Sequence, residues 1–255
     1  MYSAIGRLAE VRPENVKRVI VVGDLHGDSK SFRRIEGLFG GEDLLIFLGD
    51  YGDRGPDSLG VIEGVQSLMQ EHNERVIALK GNHEDYSDEG EPRFYPCTLI
   101  EEVDNWRSFF QLFKGNFLNR LYLAATIPDL VLFVHGGIST NIGGMEDLIS
   151  PSRGVEDDVL WSDPCEGGEH RNPRGAGVLY GPEVSKEVMS RLGVKYLVRS
   201  HEPLKAVSGP SVEHEGRVVT ISSTRVYGGR PFVLILPMDK IPKSGVGIEK
   251  YAAYL

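Results

Sequence analysis

Gly49-Asp50-Tyr51-Gly52-Asp53-Arg54-Gly55 follows directly on the apolar run Asp43-Leu44-Leu45-Ile46-Phe47-Leu48. The run has the length and composition of a buried strand, so two carboxylates and one guanidinium leave a strand's C-terminal end in a glycine-flanked turn. Open α/β sheets bind their ligands at that end of their strands. The glycines allow a sharp turn and close approach of backbone to a ligand. Asp50 and Asp53 can therefore serve different partners from one loop, and Asp50 is expected to bridge two metal ions.

The same arrangement recurs on either side. Upstream, the β-branched run Arg18-Val19-Ile20-Val21-Val22 ends in Gly23-Asp24-Leu25-His26-Gly27-Asp28. Phe32, Ile35, Leu38 and Phe39 follow at helical spacing from Ser29 to Phe39, with Ser29 or Ser31 available as a cap. Downstream, a helix is expected from about Asp57 to Glu71, then a strand Val76-Ile77-Ala78-Leu79 ending at Lys80-Gly81-Asn82-His83-Glu84. Asp24 and Asp50 lie 26 positions apart, and Asp50 and Asn82 lie 32 apart, each close to the ~30 residues of a βαβ unit. Right-handed crossovers bring all three loops to one edge of one sheet. Singly, Gly-Asp or Gly-Asn after a strand is common turn chemistry; three in succession converge on one site.

Trp106, Phe109, Phe110 and Phe113 read as one buried face of a packing helix. Leu121–Ile127 and Leu130–Val134 read as an antiparallel hairpin across Pro128-Asp129, its second strand ending at His135-Gly136-Gly137. Val159-Leu160-Trp161-Ser162-Asp163-Pro164 leads into the loop Asn172-Pro173-Arg174-Gly175. A helix begins near Pro182-Glu183 and stops at Gly193, and a strand Val194–Val198 ends at Arg199-Ser200-His201. Strand-like runs Val218–Ser222 and Phe232–Leu236 close the chain. The fold class expected is α/β, α+β-like: a central β-sandwich of two mixed sheets flanked by helices, with the metal site at strand C-terminal ends.

At 255 residues the chain buries roughly 70–75% of its unfolded surface if it forms one domain, and a single domain over residues 1–255 is expected. A net charge of −9 argues against nucleic acid, whose backbone needs clustered cations, so bound phosphate must be met locally. Two cysteines, Cys97 and Cys165, lack metal-type spacing and suit a reducing compartment. Met1 to Glu10 has no signal-peptide core, and no stretch approaches the ~20 apolar residues of a membrane span. The longest candidate, Leu121 to Val134, is broken by Pro128 and Asp129. A cytoplasmic protein with no membrane partner is expected. The Gly/Glu/Pro-rich stretch from Cys165 to Gly177 comes nearest to a flexible linker.

The donors at the strand ends are Asp24, His26, Asp50, Asn82, His135 and His201. Carboxylate, imidazole and amide oxygen without thiolate suit two divalent or trivalent ions such as Mn, Fe or Zn. Two ions ~3.5–4 Å apart bring a shared water's pKa near neutrality and clamp both ends of an in-line displacement at phosphorus. Arg54 and Arg174, each after a turn, can fork the non-reacting phosphate oxygens; either alone could equally be a solvated surface arginine. His83, next to Asn82, is placed to donate a proton to the leaving oxygen, with Asp53 holding its other nitrogen. His214 falls in a turn, His72 follows a helix as a favourable C-terminal charge, His170 has no assigned role, and Lys80 reads as a strand-end surface residue.

In this order, Gly-Asp-Leu-His-Gly, Gly-Asp-Tyr-Gly-Asp-Arg-Gly, Gly-Asn-His-Glu, His-Gly-Gly and Arg-Ser-His resemble the motifs of the calcineurin-like metallophosphoesterases. Leu160–Pro164 and Asn172–Gly175 narrow the resemblance to the phosphoprotein phosphatase (PPP-type) family of serine/threonine phosphatases, being similar to its Trp-Ser-Asp-Pro and Asn-x-Arg-Gly signatures. The match runs from about Val19 to Tyr227. It implies one metal on Asp24 and His26, Asp50 as bridge, and a second metal on Asn82, His135 and His201, with manganese expected and iron or zinc as alternatives. It also implies phosphate contacts from Arg54, Arg174 and Asn82, and His83–Asp53 as proton donor and orienter. The family's Ser-Ala-Pro-Asn-Tyr loop, which overhangs the site, is here Ser223-Thr224-Arg225-Val226-Tyr227, and Tyr227 joins the substrate-side residues.

The activity implied is metal-dependent hydrolysis of phosphoserine and phosphothreonine in a phosphoprotein or phosphopeptide, with no regulatory subunit assignable. Symmetrical dinucleoside tetraphosphate hydrolases share the first three motifs and are the alternative. A catalytically silent module would be expected to have lost ligands or the His–Asp pair, and here every such position is filled.

Overall fold

The computed structural model describes residues 1–255. A hairpin of β1 (Tyr2–Ile5) and β2 (Leu8–Val11) opens the chain. Then come β3 (Arg18–Val22), α1 (Ser29–Leu38), β4 (Asp43–Phe47), α2 (Ser58–Glu71) and β5 (Val76–Ala78). The aromatic helix α3 (Trp106–Asn116) precedes the antiparallel hairpin β6 (Ala124–Ile127) and β7 (Val131–Phe133), followed by α4 (Met145–Ile149) and α5 (Arg153–Trp161). A small sheet of β8 (Asp163–Pro164), β9 (His170–Arg171) and β10 (Val178–Tyr180) comes next. The chain closes with α6 (Pro182–Leu192), β11 (Tyr196–Arg199), β12 (Ser211–Glu213), β13 (Val218–Thr220), β14 (Phe232–Pro237) and β15 (Ala252–Tyr254).

Five strands, in the order β15-β14-β3-β4-β5, form one mixed sheet; seven, in the order β1-β2-β6-β7-β11-β13-β12, form the other. Alternation along the strands builds the layers. Val19 and Val21 of β3 and Leu44 and Ile46 of β4 meet Val198 and Val219 of the facing sheet in one apolar cluster. Ile20, Val22, Leu45 and Phe47 point the other way, onto Phe32 of α1, Val65 of α2 and Phe110 of α3. Leu197 and Val218 pack outward against Val159 of α5 and Val188 of α6. Strands covered on both faces read as unbroken apolar runs, which is why β3 and β4 were plain in the sequence. The result is the expected sandwich of two mixed sheets between helical layers.

Adjacent β3, β4 and β5 are parallel, and so are β7 and β11. Their C-terminal ends therefore leave each sheet on one edge. Pro182 opens α6 and Gly193 ends it in the left-handed conformation, as the sequence indicated.

Other expectations need correction. The cap of α1 is Asp28, not Ser29 or Ser31: its carboxylate accepts from the Ser31 N–H (3.1 Å) and hydroxyl (2.6 Å), and both serines already lie inside the first turn. The segment from Cys165 to Gly177 is no open linker. It contributes β9, and Asn172 within it is buried because its amide donates to the Trp161 carbonyl and the Asp163 carboxylate. Lys80 is not a free surface cation but pairs with Asp85 (2.7 Å) and Glu156 (3.0 Å).

Candidate metal centre and its cleft

The turns after β3, β4 and β5 carry Asp24, His26, Asp50, Asp53, Arg54, Asn82 and His83, and those after β7 and β11 carry His135 and His201. All six predicted donors are buried. Asp50 lies between two groups of them. One of its carboxylate oxygens is 3.4 Å from His26 Nε2 and the other 3.4 Å from His135 Nε2. On the second side, His135 Nε2, His201 Nδ1 and Asn82 Oδ1 lie within 2.9–3.1 Å of one another.

Hydrogen bonds to backbone set which nitrogens face inward. His26 Nδ1 donates to the Gly52 carbonyl (3.0 Å) and His135 Nδ1 to the Leu48 carbonyl (2.9 Å). In both rings the Nε2 lone pair is left for the centre.

The donor set fits cations. Lone-pair atoms crowd together on the His135 side. Asp24 Oδ1 accepts from Ser200 Oγ (2.5 Å) and the His201 N–H (3.1 Å), while the fully buried Oδ2 has no partner. Proximity alone would nominate His26, Asp50 and His83 as the first group, and Asp50, His135 and His201 as the second. His83 Nδ1 is held by Asp53 Oδ2 at 2.8 Å, which leaves Nε2 as its second nitrogen. The orphaned Asp24 oxygen adds Asp24 to the candidates, because a buried unpaired carboxylate oxygen is costly without a cation.

Electrostatics agree. Burial, then the charge of His83, takes His26 down to about 4. Burial likewise holds His135 and His201 well below the ordinary imidazole value. Neutral imidazole is the ligand form. Asp50 is pushed well above the usual carboxylate range by burial and then by Asp24, a repulsion that a bound cation removes.

The backbone is held off its usual minima here. His26, Asp50, Asp53, Arg54 and His201 all have φ between 46° and 70°, a conformation that costs non-glycine residues energy and persists where surroundings enforce it. Glu84 holds the turn at Asp50. Fully buried, its carboxylate accepts from the N–H groups of Asp50 (2.9 Å), Tyr51 (3.1 Å) and Gly81 (2.9 Å), and burial pushes it up to about 7. Sequence reasoning gave Glu84 no role, although its place in Gly-Asn-His-Glu was visible.

Above the metal side opens a cavity of about 870 Å³ lined by His26, Asp50, Asn82, His83, Arg54, Arg174 and Tyr227 among others. Arg54 donates to the Tyr95 carbonyl (3.1 Å), and Arg174 Nε to Asp163 (3.0 Å). Asp163 also receives the buried Arg199 (2.7 Å), so it fixes Arg174 beside the strand that carries His201. The Tyr227 hydroxyl lies 3.5 Å from His26 Nε2. Phe94 packs on the His83 ring at 4.5 Å, and the Leu99 N–H donates to Asp53 (2.8 Å). The segment from Phe94 to Leu99 thus orients the pair, a function its sequence gave no sign of. Burial lowers His83, and Asp53 pulls the other way.

The remaining histidines stand apart. His214 bonds to Ser185 Oγ (2.6 Å) and the Cys165 carbonyl (2.9 Å), His72 caps α2 against Phe39, and His170 is exposed. Both cysteines are free. No helix is long and apolar enough to cross a membrane.

The family model of calcineurin-like phosphoesterases matches residues 17–205. The chain is 31% identical over 243 residues to human serine/threonine-protein phosphatase 5, an alignment covering 88% of this chain and 46% of that protein. It spans about half the length of the curated relatives it matches. Among solved structures, a protein serine/threonine phosphatase from Saccharomyces cerevisiae with similarity to human phosphatase PP5 superposes with a TM-score of 0.77 at 25% identity, over 90% of this chain and 75% of that one. A cold-active protein-tyrosine phosphatase of Shewanella shares the fold, with a TM-score of 0.62 at 16% identity over 94% and 80% of the two chains. The chain belongs to the calcineurin-like phosphoesterases.

Proposed function

We propose that the protein is a metal-dependent phosphomonoesterase acting on phosphoserine and phosphothreonine in proteins. The observation that carries this reading is Asp50, whose two carboxylate oxygens each stand 3.4 Å from an imidazole of a different donor group beneath a cavity with two arginines. Asp24 and His26 would hold one cation, Asn82, His135 and His201 the other, with Asp50 shared. Two such cations, manganese first among them, activate water at neutral pH and stabilise the charge of an in-line displacement at phosphorus.

The chain's own groups supply the rest. Arg54 and Arg174 fork the non-bridging phosphate oxygens, joined by the Asn82 amide, and Tyr227 closes the near side. His83, held by Asp53, donates a proton to the departing serine or threonine oxygen. The names of the human and yeast relatives support a protein substrate.

The test is turnover by metal-stripped protein re-supplied with Mn²⁺. Phosphoserine and phosphothreonine peptides should release phosphate in a Mn²⁺-dependent reaction lost in Asp50→Asn. Turnover of a dinucleoside tetraphosphate alone would keep the site and overturn the substrate.

A further inference from the structure

The cavity over the metal side has two unlike walls, Pro92-Arg93-Phe94-Tyr95 and Glu202-Pro203-Leu204-Lys205. Phe94 turns inward onto the His83 ring and is only 7% exposed, whereas Tyr95 is 89% exposed and Arg93 is exposed beside it. This wall is anchored. The Arg93 N–H donates to the Asp85 carbonyl (2.9 Å), and the Tyr95 carbonyl accepts from Arg54 (3.1 Å). Whatever touches Arg93 and Tyr95 is therefore held at a fixed place relative to the proton donor and a phosphate-side arginine.

The charges of the two walls differ. Lys205 is matched by Glu213 (2.9 Å) and Glu202 (3.0 Å), and Arg174 by Asp163 (3.0 Å). Arg54 faces the phosphate position and bonds only a carbonyl. Arg93 makes no ion pair, and Asp88, an acid that feels its charge, is already paired with Lys114 at 2.6 Å. One cation is thus left over, on one wall, after the scissile phosphate has its arginines. An unmatched guanidinium beside a solvent-exposed aromatic ring is a recognition surface for an anion carried on a chain with apolar surface. In a protein of net charge −9, long-range attraction does not favour an acidic substrate, so the preference must come from this contact.

We infer that Arg93 determines substrate specificity by pairing with an acidic group, a carboxylate or a second phosphate, that flanks the phosphorylated side chain of a peptide, while Tyr95 supports the intervening backbone. The inference rests on the reading of the site as one for phosphopeptides. Pairing at a half-open wall is worth about a three- to tenfold preference in kcat/KM.

The experiment uses the Mn²⁺-loaded full chain and phosphoserine peptides that carry Asp, a non-hydrolysable phosphoserine analogue, Asn or Lys at each near position on either flank. The readout is the ratio of kcat/KM for each peptide to that for its Asn counterpart, taken within one variant, so that loss of folded protein cancels. The native chain should favour Asp or the phosphonate on one flank by about three- to tenfold. Arg93→Gln should bring the ratio to one, and Arg93→Glu should turn the preference toward Lys. The two anionic arms separate a carboxylate reader from a phosphate reader. Equal turnover of all peptides by the native chain, or a preference that survives in Arg93→Gln, overturns the inference and leaves the phosphatase reading standing. Turnover of p-nitrophenyl phosphate without turnover of any peptide overturns both.

Discussion

The proposed proton donor, His83, paired with Asp53, is the immediate neighbour of a proposed ligand, Asn82. Asn82 presents an oxygen to the His135 side, while His83 Nδ1 is held by Asp53 and its ring is clamped by Phe94. A general acid contributes about 10²–10⁴-fold, most where the leaving group is poor. His83→Asn is expected to lower kcat by that range for phosphoserine peptides and far less for p-nitrophenyl phosphate; full turnover of the peptides would remove His83 from the reaction. The pH profile gives a second reading. Burial lowers the imidazole and Asp53 raises it, so Asp53→Asn should lower it further. An acid works only when protonated, and the alkaline limb of the kcat profile should therefore move to lower pH in that variant; an unmoved limb would contradict the assignment. The meeting of these residues at one site could be anticipated because they follow apolar runs. Glu84 and the segment from Phe94 to Leu99 could not be, because contacts that give them their value, Glu84 to Tyr51 and Leu99 to Asp53, span 33 and 46 positions.

At the scale of elements, the site depends on how closely two turns approach. Gly49, with φ of +105°, brings its Cα region against Gly81, and a Cβ on Gly81 would sit 2.3 Å from Asp50 Oδ1. Gly81→Ala should therefore displace the bridging carboxylate and weaken Mn²⁺ binding about 10–100-fold, measured by calorimetric titration; native affinity in that variant would show the turns to be less constrained than described. β3, β4 and β5 were legible because strands buried on both faces leave unbroken apolar runs. The hairpin of β1 and β2 was not, since both strands are four residues long and β1 buries none of its residues, which leaves little periodic signal. Nor was the order in the stretch before Gly177, where Asn172 and Asp163 create structure by side-chain bonds instead of by apolar pattern. Lys80 shows the same limit: its partners Asp85 and Glu156 come together only when α5 packs beneath the first sheet's loops.

For the whole molecule, two sheets converge their strand ends on a cluster that metal-free protein tolerates poorly. His26, His83, His135 and His201 are all lowered from 6.5, His26 to about 4, so between those values the unfolded chain binds more protons than the folded one. Stability contributed by these four groups is present above 6.5 and is lost as pH falls toward 4. Asp50 and Glu84 are raised and act in the opposite sense, while His214, also lowered by burial, adds to the histidine effect. The chelated protein should consequently lose melting temperature as pH is lowered from 6.5 to 4, and Mn²⁺ at pH 7 should raise its melting temperature; a flat pH response would mean that the imidazoles are not buried as a cluster. The central claim is that Asp50 joins two cations. Electron paramagnetic resonance of the Mn²⁺-titrated chain tests it most directly. Two ions per chain with an exchange-coupled spectrum that Asp50→Asn abolishes are expected, whereas a single ion per chain, or uncoupled manganese indifferent to Asp50→Asn, would contradict a shared Asp50.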